Sequence, residues 1–276
     1  MIAFKTGFFP AAASREDLPI VPDEGEVNAL DVAGDPAFNG QLHPSLGFGR
    51  FELWPSLGAA LGALGAALAD AAARGVEELD EDAAVARRLA VCERGALLFL
   101  RRVLLGARGG GGLCPAFEWA QRAPRTCPRF GEAHANFAHT DLRLGEGLRM
   151  YNVWVPVRAV ESEPLLLGAL GPACAYDWRR ARDRAHHLPR DSADVAWYFF
   201  GGMRVGEAVI FPGDGGGGER GIFHASAWPT SGARASFDSR EIARLDASDE
   251  DAERARARCE REREAWEAEA SSLRES

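Results

Sequence analysis

His139 and Asp141 flank Thr140, and a lone His224 lies far downstream in Gly221-Ile222-Phe223-His224. Residues i and i+2 of an extended segment point to the same side, so His139 and Asp141 can grip one ion from a single strand end. Two imidazoles and one carboxylate are the facial ligand set that holds non-haem Fe(II) and leaves positions open for oxygen chemistry. The same three ligands on zinc would suit a hydrolase. The bland alternative is a strand-end turn in which Asp141 caps backbone N–H groups. His134 also lies nearby, but it is not in the i,i+2 relation to Asp141.

A second constellation raises the metal reading. Arg234-Ala235-Ser236-Phe237-Asp238-Ser239-Arg240 follows His224 on a stretch that reads as extended. Period-2 alternation puts Arg234, Ser236, Asp238 and Arg240 on one face. An arginine fork beside a serine hydroxyl can clamp the far carboxylate of a dicarboxylate cosubstrate. Spacing from His224 favours Arg234 for that clamp, with Arg240 the runner-up and Asp238 able to orient either guanidinium. With no ligand, the four would be an edge ladder whose ion pair contributes ~0–1 kcal/mol. Iron ligands followed by a carboxylate clamp point to a 2-oxoglutarate-dependent oxygenase. Upstream, Asn152 and Trp154 share one face of their strand, with Val153, Val155 and Val157 on the other; a strand tryptophan of this kind belongs in a core.

The order of these words resembles a known group. From Ala138 to Arg240 the chain is similar to Fe(II)/2-oxoglutarate oxygenases of the gibberellin-desaturase-like and cephamycin-methoxylation-like family. The matching stretches are His139-Thr140-Asp141, Arg149-Met150-Tyr151-Asn152-Val153-Trp154-Val155-Pro156, Gly206-Glu207-Ala208-Val209-Ile210-Phe211, Phe223-His224-Ala225-Ser226 and Arg234 to Arg240. The resemblance implies Fe(II), 2-oxoglutarate and O2 as cofactor and cosubstrates, and a small-molecule, specialised-metabolite substrate. It also implies that the Asn152 strand lines the pocket, so that Asn152 touches cosubstrate or substrate. With Asp141 in place, it implies hydroxylation or desaturation, because halogenating relatives vacate that ligand. Two rival readings are a β-barrel metalloenzyme that does not use 2-oxoglutarate and a non-catalytic binding module on the same scaffold.

The elements that must position these residues read as mainly β with helical support. Short strands separated by turns run from Ala133 onward: Arg149–Val157, Pro164–Leu170, Ala208–Phe211, Gly221–Ala225 and Ala235–Ile242. This pattern predicts a jelly roll of the double-stranded β-helix, cupin-like kind, which can set the His224 strand beside His139. Ahead of it, residues 1–108 supply strands and two supporting helices: one over Leu57–Ala73, and one from Asp80-Glu81-Asp82 to about Leu105. Their expected dipole partners are acids in the second helix's first turn and Arg101 and Arg102 near its end. Gly109 to Gly112 is the clearest internal break before a catalytic core over 109–245. Residues 246–276 read as a charged, exposed helix whose Trp266 docks on the body or on a partner.

A net charge of -9 in 276 residues disfavours nucleic acid as partner. The sequence shows no apolar run of the ~20 residues a membrane span needs, and Met1 to Pro10 does not read as a secretory signal. Five cysteines without a CxxC pair read as free thiols in the cytoplasm, since a structural zinc site would need four ligands. Gly213 to Gly218 lacks the Lys-Ser/Thr ending of a phosphate loop and reads as a hairpin turn. The insertion from Gly171 to Ala196, with His186-His187 at its centre, reads as a solvated connection or as a lid. Its clustered arginines would favour an anionic substrate. A homo-oligomer is compatible with all of this.

Overall fold

The computed structural model describes residues 1–8, 23–76, 82–106, 113–116, 138–141, 144, 147–161, 164–170, 186–187, 195–213, 222–227 and 236–273. Its elements in chain order are β1 (Ile2–Phe8), β2 (Asp23–Asp31), a 3-10 turn (Pro36–Phe38), β3 (Gly49–Glu52), α1 (Pro55–Ala73), α2 (Ala83–Gly106), β4 (Cys114–Pro115), β5 (His139–Thr140) and β6 (Leu148–Pro156). They continue with β7 (Leu165–Leu170), β8 (His186–His187), β9 (Val195–Phe199), β10 (Glu207–Pro212), β11 (Ile222–Ser226), β12 (Ser236–Arg244) and α3 (Asp249–Ser272).

Strand β6 shows how the sequence builds the layers. Tyr151, Val153 and Val155 point to one side, into a core shared with the helices. Trp154 points to the other, into a core shared with Phe211 of β10 and Leu167 of β7. That alternation is what a strand between two apolar layers requires. Two sheets result. One has seven strands in the order β1-β2-β9-β7-β11-β5-β8, and the other has five in the order β3-β10-β6-β12-β4. Pairing is antiparallel apart from β2 with β9. Leu166, Phe223 and Phe199 form a third apolar cluster on the far face of the seven-stranded sheet. The architecture is the mainly β double-stranded β-helix with helical support that the strand pattern predicts.

The helices cover the outer face of the five-stranded sheet. Leu57, Leu61, Leu64 and Leu68 recur at helical spacing along α1 and are fully buried, each contributing roughly 1.5–3 kcal/mol over exposure. This helix corrects the expectation about apolar runs. At 19 residues and a mean hydropathy of 1.4, it is long and apolar enough to cross a membrane, yet here its leucine face packs on α2 and the core.

Two details of α2 also differ from the sequence reading. The helix starts at Ala83, so Asp82 lies just outside it and caps it, its carboxylate accepting from the N–H groups of Ala84 and Val85; Asp80 and Glu81 lie outside the described residues. Arg101 does not serve the helix end. It is buried and paired with Glu241 of β12 and, at 3.1 Å, with Glu262 of α3. The C-terminal helix opens on a Ser248–Asp251 capping box. Most of its charged residues lie on exposed faces, but Ala252, Ala255, Cys259, Trp266 and Ala270 form a buried stripe. Trp266 docks on the body: its indole N–H donates to the Val91 carbonyl at 2.8 Å. Gly95 makes room for it, since a Cβ there would lie 2.5 Å from the ring.

Cys92, Cys114 and Cys259 are buried and form no disulfide among the described residues, and burial pushes the Cys259 thiol up to about 11. Cys127, Cys174, His134, the glycines at 109–112 and those at 215–218 lie outside the described residues.

Candidate metal centre

Strand pairing alone brings the two histidines together. β11 lies between β7 and β5, and in the β11–β5 ladder His224 stands directly opposite His139. Phe223 and Ala225 belong to the outer cluster, as does Ala138 beside His139. The histidines therefore take the inner face, as Ile222 does. Their ring centroids are 4.2 Å apart, and the buried Phe211 ring lies 5.0 Å from His224 as an apolar wall.

Asp141 follows β5 at the point where the two sheets meet. Its N–H donates to the Gly213 carbonyl at 2.7 Å, and the Gly213 N–H donates to Met150 at 3.0 Å. The end of a strand in one sheet is thus tied to the end of β10 in the other. The donor atoms of His139, Asp141 and His224 all lie within 4.8 Å of one another, and all three residues are buried. Two imidazole nitrogens and one carboxylate, converging in an enclosed site, fit a divalent transition metal with coordination positions left open.

The carboxylate is held from both sides. Asn152 Nδ2 donates to Asp141 Oδ2 at 2.6 Å, and Arg240 Nη2 lies 2.7 Å from Oδ1. His224 Nε2 is 3.8 Å from Oδ2. Burial is the largest single influence on this group and pushes its pKa up. His224 and Arg240, the Asn152 hydrogen bond and His139 together overcome it and hold the carboxyl below its usual range. Asp141 is therefore the anion a metal ligand must be.

Asn152 is on the site face of β6, as the family resemblance implies, and shares that face with Trp154, while Tyr151 faces the helices. Arg240 stands opposite Asn152 in the β6–β12 ladder. Ser236 is buried at the start of β12, opposite Pro156. Arg234 lies outside the described residues. The centre of the 171–196 insertion, His186-His187, forms β8, which pairs with β5 at the sheet edge; the arginines of that insertion lie outside the described residues.

Two features escaped the sequence reading. Gly213 looked like ordinary turn material, yet a Cβ there would lie 2.7 Å from Asp141 Oδ2 and 2.9 Å from Asn152 Nδ2. Arg240 looked like a cosubstrate clamp in reserve, yet it grips the carboxylate of the cluster itself. Nothing local marks either residue, because both contacts join strands distant in sequence.

No protein-family model and no curated relative matches the sequence. Solved structures do. The iron and alpha-ketoglutarate-dependent endoperoxidase NvfI is matched at 15% identity and a TM-score of 0.51, covering 89% of this chain and 98% of that one. A tryptophan-to-phenylalanine variant of the same protein gives 14% identity and a TM-score of 0.54 over the same coverage. A third structure, described as having a different conformation, gives 13% and 0.53. Across nearly its whole length, this chain shares its fold with that endoperoxidase and holds a buried His-Asp-His cluster between its two sheets.

Proposed function

We propose that the protein is a non-haem Fe(II)/2-oxoglutarate-dependent oxygenase that hydroxylates or desaturates a small molecule. The observation that carries this reading is the His139–Asp141–His224 cluster, whose donor atoms converge in a buried site between two sheets. The shared fold supports it, since the matched structures are described as iron and alpha-ketoglutarate-dependent. His139, Asp141 and His224 would hold the metal. When bound, iron couples oxidative decarboxylation of 2-oxoglutarate by O2 to attack on a substrate C–H bond.

The chain's own part is placement. His139 and His224 present imidazole nitrogens from adjacent strands, and Asp141 supplies one negative charge fixed by Asn152 and Arg240. Phe211, against His224, keeps one flank of the site apolar. Arg234, with Ser236, is the assigned grip for the far carboxylate of 2-oxoglutarate. The substrate is read as an anionic specialised metabolite and the location as the cytoplasm, the latter supported by a cysteine set without CxxC pairs.

The test is turnover after anaerobic loading with Fe(II): 2-oxoglutarate and O2 should yield succinate even without substrate, slowly. His139→Ala, Asp141→Ala and His224→Ala should each abolish it while leaving the far-ultraviolet circular dichroism unchanged. Arg234→Ala should raise the 2-oxoglutarate KM by roughly two to three orders of magnitude, as loss of a buried charge-assisted fork does. Metal binding without any succinate would instead identify a metalloenzyme that does not use 2-oxoglutarate. Absence of metal binding would leave a binding module.

A further inference from the structure

We infer that Arg240 is a positioning residue for the carboxylate ligand and not part of the cosubstrate clamp, an inference that rests on the metal reading above. Three observations point there. First, its Nη2 sits 2.7 Å from Asp141 Oδ1, while Asn152 from the neighbouring strand donates to Oδ2 at 2.6 Å. Arg240 and Asn152 are direct partners in the β6–β12 ladder, so the two donors reach one carboxylate from adjacent strands. A carboxylate held at both oxygens cannot rotate, and its angle toward His139 and His224 is set before any ion arrives.

Second, one end of the guanidinium is already shared. The same Nη2 lies 3.4 Å from Asp238 Oδ2, two residues earlier on the same face. With Nη2 already shared between two carboxylates, that edge of the guanidinium has no nitrogen left to form a bidentate fork with a third. Arg234 lies outside the described residues and keeps the clamp assignment that its spacing from His224 and the Arg-x-Ser pattern give it.

Third, the strand that carries Arg240 is pinned from behind. Glu241, the next residue, is completely buried on the opposite face and paired with Arg101 of α2. Slipping β12 by one residue would exchange the two faces, sending Arg240 into the helices and Glu241 into the site. Arg240 Nε is buried with no acceptor among the described residues. That donor defines the competing assignment, in which it receives the cosubstrate.

Anaerobic Co(II) titration followed by visible absorption separates the two, because it reads ligand geometry and affinity without turnover. Wild type should give the absorption of a bound ion. Arg240→Ala should weaken Co(II) binding roughly 10- to 100-fold, the usual cost of losing an outer partner of a metal ligand, and should change the band pattern. Arg240→Lys should recover part of the affinity, since a point charge replaces only part of the fork. Asn152→Ala should shift affinity in the same direction from the other oxygen. At saturating metal, the 2-oxoglutarate KM of Arg240→Ala should stay within about threefold of wild type. Unchanged Co(II) affinity and spectrum in Arg240→Ala and Arg240→Gln overturn the inference, and a large rise in the 2-oxoglutarate KM assigns Arg240 to the clamp. If wild type itself binds no Co(II), the ligand assignment falls and this inference with it.

Discussion

At the scale of single residues, the cluster depends as much on what is missing from one position as on the ligands themselves. Gly213 lies against both the carboxylate and the amide that holds it, and its carbonyl receives the Asp141 N–H. A methyl group there cannot be absorbed by a flexible chain end, because the atoms it meets are fixed by three strands. Gly213→Ala should therefore displace Asp141 and weaken Co(II) affinity at least about tenfold. The overpacking should cost ~1–3 kcal/mol in chemical denaturation. Wild-type affinity in that variant would show that the carboxylate has room to move. Isolated motifs in the sequence named all three donors, since i,i+2 spacing and the lone histidine are local signals. They did not name Gly213, because a glycine beside a glycine run reads as a turn until the strand behind it is known.

At the scale of elements, β12 is the part that links scaffold to site, with Asp238 and Arg240 on one face and Glu241 on the other. The Arg101–Glu241–Glu262 group joins α2, β12 and α3. Removing one partner of a buried ion pair leaves its charge stranded, which typically costs about 3–5 kcal/mol. Because Arg101 keeps Glu262, Glu241→Ala should lose less than that in urea unfolding, about 1.5–3 kcal/mol as for a lost hydrogen bond to a charged group, and Arg101→Met combined with Glu241→Leu should regain most of it. A small loss in the single variant would mean that water reaches the pair. The N-terminus of α3 makes a separate, pH-dependent prediction. The Ser248 hydroxyl, then Arg254 and the Ser248 N–H, hold the Asp251 carboxyl down from 3.8 to about 2. A carboxyl depressed in the folded state stabilises it when ionised. The cap is therefore complete above about 4 and is lost as pH falls toward 2. Ser248→Ala should raise the Asp251 titration midpoint in carbon-detected NMR; an unmoved midpoint would assign the depression to Arg254 and the backbone N–H at 248.

At the scale of the whole molecule, the site exists only where both sheets are in place, so ion binding and folding are linked. An ion that binds only the folded chain at a free concentration 100 times its Kd should stabilise it by about 2.7 kcal/mol. The increment should vanish in His224→Ala, and its persistence there would place the ion elsewhere. Readable from the sequence alone were the mainly β class, the strands β6, β7, β10, β11 and β12, and the three residues of the His-Asp-His cluster, whereas β8 lay inside the stretch read as an insertion and β9 ran across its end. Alternation of apolar and polar side chains and the type of each donor are written locally in the chain. Parity put Asn152 on the same face as Trp154, and the family resemblance made that face the pocket side. Folding, by contrast, docks Trp266 so that it anchors α3 to the body, takes Arg101 from its helix end to Glu241, and brings Arg240 to Asp141. Each of these is a contact between elements tens to hundreds of residues apart. Such contacts depend on strand order and helix docking, which no window of sequence contains, and charge alone gives an arginine several equally good partners until packing removes all but one.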